Sequence, residues 1–192
     1  MTTHTPRPST EDTSIEGWHG VSPEEFKAAF RNHAAGVALI TADAGSGPAA
    51  MTATSVFSIS AVPPLLVFSV SDLSSAASTI TSAETVVVHL LGADQIELAK
   101  LGATSGVDRF ADTSAWERLP TGEPHFPSAH AWIRGRIVGQ MAAGSSNVVM
   151  VEALETNGPA AGDPDADAAN AHPLVYHNRT WHRLTEDSKI ID

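Results

Sequence analysis

Residues 51–60, MTATSVFSIS, carry five hydroxyl side chains, Thr52, Thr54, Ser55, Ser58 and Ser60, in a run that otherwise reads as a β-strand. Strand side chains alternate between faces. Thr52, Thr54, Val56, Ser58 and Ser60 therefore share one face, and Ala53, Ser55, Phe57 and Ile59 share the other, the predicted core face. The hydroxyl face is polar yet uncharged, whereas solvent faces usually carry Lys, Glu or Arg. Short hydroxyls donate and accept hydrogen bonds close to the backbone, which suits the wall of a polar ligand site. Thr is also a good strand former, so an exposed Thr/Ser-rich strand fits the same spacing, and both readings stay open. A second hydroxyl group lies in SDLSSAAST, residues 71–79. At a strand-to-helix junction these residues either turn N–H groups and hydroxyls toward an anion or simply cap the helix. From residue 32 to 99 there is no Lys or Arg. An anion bound in that region needs backbone N–H groups, hydroxyls and a cation lent from elsewhere. Arg109, next to Phe110 and followed by Trp116, offers such a cation beside aromatic rings, or else pairs with Asp108 or Asp112.

Other chemistries find no pattern. The nine histidines are scattered, with no His-Glu-x-x-His and no cysteine to join them, so no metal site is expected. His89 sits in an apolar run and reads as a hydrogen-bonded core residue. No Gly-x-Ser-x-Gly elbow, Walker loop or Gly-x-Gly-x-x-Gly is present. The net charge of −11 opposes nucleic acid and anionic membranes as main partners. The absence of cysteine excludes disulfides and thiol catalysis and fits a reducing compartment, so a cytoplasmic location is expected. The first ten residues lack the apolar centre of a secretory signal, and no run of about 18 apolar residues spans a membrane.

The elements that must position these residues follow from periodicity. The 192 residues, 42% hydrophobic, suit one domain. A disordered tail is expected over residues 1–20 and a folded domain over 21–186. Ser22, Pro23 and Glu25 form a helix start, Phe26, Ala29, Phe30 and His33 share one face, and Gly36 ends the helix. Strands are predicted at 37–42, 50–60, 64–70, 85–91, 131–141 and 147–156, with a closing hairpin of PLVYH and TWHRL around Asn178-Arg179. A short helix should follow residue 71 and another should cover 92–103. Residues 157–170 form a low-complexity acidic loop. Many short strands with few helices predict a mainly β barrel or sandwich.

In order, the segments FRNHAAGVALITA, AMTATSVFSISAVPPLLVFSV, SSAAST, VVVHLL, DRF, TGEP, AWIRGRI and PLVYHNRTWHRL resemble the flavin reductase family with the FMN-binding split-barrel fold. That family includes the small reductase components of two-component flavin monooxygenases. The resemblance runs from about residue 24 to 184. It implies a six-stranded antiparallel Greek-key split barrel with a few peripheral helices, working as a homodimer. It also implies FMN, or the same part of FAD, reduced by NADH or NADPH, and a separate monooxygenase as recipient. By motif, Thr52, Thr54 and Ser55 would meet the isoalloxazine edge and ribityl chain, and Ser69 on the next strand would sit beside the flavin. Ser74 and Ser75 would hold the phosphate, with Arg109 and Phe110 closing that side.

Hydride transfer between nicotinamide and flavin is the cofactors' own chemistry and needs no acid or base from the protein, in keeping with the missing dyad or triad. Two positions depart from the family pattern. Ser146 stands where a His associated with the nicotinamide side is usual, while Glu152 remains, and His89 stands where Asn is common. The first departure motivates the alternatives: a flavin-binding protein without NAD(P)H reductase activity, or one with another electron donor. A small-ligand barrel without redox function is the third reading. No separate basic cluster for a 2′-phosphate is evident, which leans to NADH.

Overall fold

The computed structural model describes residues 20–158 and 172–190. The expected N-terminal tail and most of the acidic loop lie outside the described residues. The elements run α1 (Pro23–Phe30), β1 (Ala35–Gly36), β2 (Ala38–Asp43), β3 (Pro48–Ala53), β4 (Phe57–Ala61), β5 (Pro64–Ser71), α2 (Ala77–Ser82) and β6 (Thr85–Leu90). They continue with α3 (Ile96–Ala103), β7 (Glu117–Arg118), β8 (Pro124–His125), β9 (Ala131–Ala143), β10 (Ser146–Thr156), β11 (Leu174–His177) and β12 (Thr180–Arg183). No helix among the described residues is long and apolar enough to cross a membrane.

The fold is mainly β. Seven antiparallel strands form one sheet in the order β3-β2-β6-β9-β10-β5-β4. The sheet has seven strands, one more than the six expected for the split barrel, and no hydrogen bonds among the described residues close it into a barrel. The extra strand arises because residues 50–60 are not one strand. The chain leaves β3 at Ala53, crosses through Thr54, Ser55 and Val56, and enters β4 at the opposite edge of the sheet. The two edges are therefore covalently joined, which requires the sheet to curl. At the seam the Ser55 hydroxyl accepts a hydrogen bond from Ser69 N–H (2.9 Å) and lies 3.4 Å from the Ser69 carbonyl. It takes the place of the backbone partner that β5 lacks beyond Phe57, so the strand's polar groups stay satisfied.

The curled sheet encloses one apolar cluster that includes Ile40, Met51, Phe68, Val70, Val86, Val88, Val149 and Val151. Helix α2 contributes Ile80, fully buried. Each such side chain contributes about 1.5–3 kcal/mol on burial. The filled interior leaves the internal small-ligand barrel without support. A second cluster lies on the outside of β2 and β3, where α3 and the segment around Phe110 and Phe126 cover Leu39 and Ala50. Gly102 lets α3 approach: a Cβ there would stand 2.3 Å from Leu39 Cδ1 and 2.4 Å from Thr52 Oγ1. The closing hairpin forms as expected, with Asn178 and Arg179 at φ 49° and 62°, the positive values that a two-residue turn demands.

Two further expectations fail. The first helix has the predicted capping box but ends at Phe30, not at Gly36, because Ala35 and Gly36 pair with Tyr176 and Val175 of β11. It buries no residue. The predicted core face of the hydroxyl stretch also fails beyond Ala53: Phe57 and Ile59 are 59% and 46% exposed. The crossover at residues 54–56 and a register shift between Ser58 and Ser60 both interrupt the period of two.

Candidate functional site

Two cavities lie outside the curled sheet. The smaller, about 230 Å³, is lined by the turn Ser46–Ala50 (residues 46–50), Ser75, Ala76 and Thr79, and residues 107–110. Its floor is shaped by two tied loops. Asp43, at the end of β2, accepts hydrogen bonds from Gly45 and Gly47 N–H and pairs with Arg118 at 2.6 Å. The Arg118 hydrogen bond, helped by those N–H groups against a burial cost, holds the Asp43 carboxyl below its ordinary value. Gly45 and Gly47 sit at φ 93° and 113°, which an L side chain resists.

Arg109 is the cation of this cavity. Nη1 donates to Ser75 Oγ (3.1 Å) and Nη2 to the Thr104 carbonyl (2.8 Å). Its Nε is buried and has no hydrogen-bond partner. The ion pair with Asp108 or Asp112 considered from sequence does not form. Asp108 caps the Phe110 N–H (2.9 Å), and Asp112 accepts from Ser114. Phe110 is 8% exposed and packs edge-on to Trp116 at 5.0 Å and against Phe126 at 5.6 Å. Trp116 Nε1 donates to the Phe110 carbonyl (3.0 Å), which fixes the loop that presents Arg109. A guanidinium so held, beside a hydroxyl and an unused donor, is built to meet an anion.

The larger cavity, about 610 Å³, lies between α1, the seam and the β11–β12 turn. Thr54, Ser55 and Phe57 line it on one side, Phe26 and Phe30 on another, and Tyr176 with His177 on a third. Thr54 is exposed, and Ser69 is half-buried and tied to Ser55.

The sequence-predicted residues therefore fall into groups. Ser75, Arg109 and Phe110 converge on the small cavity, and Thr54 and Ser55 line the large one, with Ser69 joined to them through Ser55. Thr52 lines neither: its hydroxyl donates to the Ala99 carbonyl of α3 at 2.6 Å. Ser74 Oγ accepts from Ala76 N–H (3.3 Å) and serves the turn before α2. Ser146, the departure from the family pattern, starts β10 and lines neither cavity, while Glu152 pairs with Arg136 at 2.5 Å. No group of residues suited to a metal ion occurs among the described residues.

Two polar networks frame the site, of which sequence reasoning reached His89 as a hydrogen-bonded core residue and missed Glu123. His89 is fully buried, with Nδ1 3.1 Å from the Leu39 carbonyl and Nε2 accepting from Phe126 N–H (3.1 Å). The ring is therefore neutral with its proton on Nδ1. Burial pushes its pKa down to about 3, with His125 adding to that and the Leu39 bond opposing it. Buried Glu123 of TGEP is the hub of the other network, accepting from Thr121, Thr85 (2.6 Å) and Arg134 (2.8 Å). Burial raises its carboxyl, but these hydrogen bonds prevail and hold it below the ordinary value. Only the segment's place in the family pattern hinted at this.

The fold and site define a class: an antiparallel β protein with surface cavities formed by hydroxyls, a tethered arginine and aromatic rings. The flavin reductase like domain matches residues 30–185, so the chain belongs to the flavin reductase family. The chain is 39% identical over 166 residues to an NADH:FMN oxidoreductase of Rhodococcus qingshengii, covering 86% of this chain and 84% of that one. It is 28% identical over 170 residues to a Rhodococcus opacus protein, the reductase component of a 4-nitrophenol 4-monooxygenase/4-nitrocatechol 2-monooxygenase, covering 85% and 90%. The crystal structure of a flavin reductase domain protein from Arthrobacter sp. FB24 superposes with a TM-score of 0.76 at 33% identity, covering 88% of this chain and 99% of that one.

Proposed function

We propose that the protein is an NADH-dependent flavin reductase that passes a hydride from the nicotinamide to FMN. The observation that carries this reading is Arg109: tethered to Ser75, with a buried unpartnered Nε, it opens onto a cavity in a chain region otherwise free of cations. Family membership and the Rhodococcus qingshengii relative support the activity.

The residues present fit the cofactor. Ser75 and Arg109 hold the phosphate of FMN in the small cavity, and Phe110, fixed by Trp116 and Phe126, keeps that loop in place. Thr54, Ser55 and Ser69 form the polar seam along which the ribityl chain and ring edge lie. When bound, FMN supplies the hydride-accepting ring. The chain's part is to orient it and leave its face open to the reductant. Thr52 and Ser74, the other expected contacts, bond to the Ala99 carbonyl of α3 and to the Ala76 N–H of the turn before α2.

The same reading extends to assembly. Strand β4 is a free edge of the sheet, with Phe57 and Ile59 59% and 46% exposed and Val62, just beyond it, 92% exposed. A second copy covering this edge removes an aggregation hazard and gives a homodimer. Light scattering then reads twice the chain mass of 20.0 kDa, and a monomer contradicts it. A flavin-dependent monooxygenase as recipient of the reduced flavin is favoured by the Rhodococcus opacus relative. The reading goes with a cytoplasmic location.

Flavin titration tests the site. Arg109→Ala weakens FMN binding by about 1.5–3 kcal/mol, the scale of a charge-assisted hydrogen bond. Riboflavin, which lacks the phosphate, then binds wild type and variant alike. Equal FMN affinity in both proteins sinks the assignment.

A further inference from the structure

Of the chain's 11 Lys and Arg residues, three converge on the larger cavity: Lys27 and Arg31 on α1 and its cap, and Arg179 in the β11–β12 turn. No carboxylate is among the residues that line it, although the net charge is −11. None of the three forms an ion pair among the described residues. Their meeting is fixed by the backbone, since Asn178 N–H donates to the Arg31 carbonyl at 3.1 Å. That contact joins segments far apart in the chain, which is why no basic cluster is visible in the sequence.

The apolar walls are as specific as the rim. Helix α1 has only eight residues and buries none of them. A helix this short does not hold by itself and depends on packing. Its Phe26 and Phe30, 53% and 55% exposed with rings 4.7 Å apart, look into the cavity that Tyr176 also lines. Trp181 backs Tyr176 at 4.8 Å. Rings flanked by unpaired cations suit a planar aromatic group that carries phosphates.

We propose that this cavity takes the adenosine-phosphate end of the nicotinamide reductant. Lys27, Arg31 and Arg179 meet its phosphates, and Phe26, Phe30 and Tyr176 lie against the adenine. The inference rests on the reductase reading in one respect: Thr54 and Ser55 line this cavity as well as the flavin seam, so the two ligands are neighbours there.

The test is a calorimetric titration of the full chain with 5′-ADP and with adenosine 2′,5′-bisphosphate, in parallel with FMN. The triple variant Lys27→Ala, Arg31→Ala, Arg179→Gly is compared with wild type; glycine suits the φ of 62° at position 179. Wild type binds an adenosine phosphate, more weakly as salt rises. The variant binds it about tenfold more weakly, with FMN affinity kept within about twofold. The KM for the nicotinamide nucleotide rises in step while kcat is retained. Either nucleotide preference upholds the site, the 2′-phosphate pointing to NADPH and its absence to NADH. Equal binding in variant and wild type overturns the proposal. So does the absence of any binding to wild type, including a cavity closed by a second copy. Failure of FMN to bind wild type would sink the reductase reading, and the adenosine titration still decides this site on its own.

Discussion

Ser55 shows how far a single side chain was legible. Its type and neighbours pointed to polar contacts, but the period of two put it on a core face with Phe57 and Ile59. In the structure its hydroxyl stitches β5 at the seam, and Phe57 and Ile59 are exposed. Parity fails where a strand ends, and nothing in the types Thr-Ser-Val marks that end. His89 was legible as a hydrogen-bonded core residue, and both ring nitrogens are used as expected. Its pH consequence needs the fold. The unfolded chain takes up a proton at His89 near the ordinary pKa of 6.5, whereas the folded chain resists it until about 3. Stability from this residue is therefore full above about pH 6.5 and is lost as the pH falls toward 3. Burial also lowers the pKa of His125, whose ring stacks on His89 at 5.6 Å, so it acts in the same direction. Hydrogen bonds hold the carboxyls of Asp43, Asp94 and Glu123 below their ordinary values, so their contribution to stability is also lost as the pH falls. The variant His89→Gln loses about 1–3 kcal/mol at pH 7.5, through misplaced hydrogen bonds to Leu39 and Phe126. Its melting temperature then falls less than that of wild type between pH 7.5 and 5. Parallel falls in thermal melts would show that His89 does not carry the acid sensitivity.

At the scale of elements, strands with continuous apolar runs were read well. β5 and β6 are buried along most of their central residues, with Leu66, Phe68, Val70, Val86 and Val88 in the interior cluster, and their apolar sequences say so. The first helix was read too long, because its capping box is local but its end is set by pairing of β1 with β11, a contact remote in sequence. The seat of α3 depends on Gly102, whose role has no sequence signature. The variant Gly102→Ala forces the helix away from Leu39 and from the backbone of Thr52, 3.0 Å from the new Cβ, and breaks the Thr52 bond to Ala99. Overpacking of this kind costs about 1–3 kcal/mol. Chemical denaturation reads it as a lower midpoint with unchanged slope; a midpoint equal to wild type would mean that α3 is not held by this contact.

For the whole molecule, the cation gap between residues 32 and 99 carried the most information about function. An anion bound there would need a cation from elsewhere, and the fold brings Arg109 to Ser75. The expectation of six strands in the split barrel is the principal departure at this scale. One crossover at residues 54–56 turns a predicted strand into two edges, which no local pattern could reveal. The larger cavity was equally hidden, since α1 and the β11–β12 turn meet only in the folded chain. In the proposed function, this assembly of hydroxyls, arginine and rings presents FMN to a nicotinamide reductant. It is tested most directly by mixing the protein with FMN and NADH without oxygen and following the oxidised flavin absorbance. The band is expected to bleach as NADH is consumed, one nucleotide for each flavin. FMN that binds and stays oxidised, with NADH untouched, would contradict it.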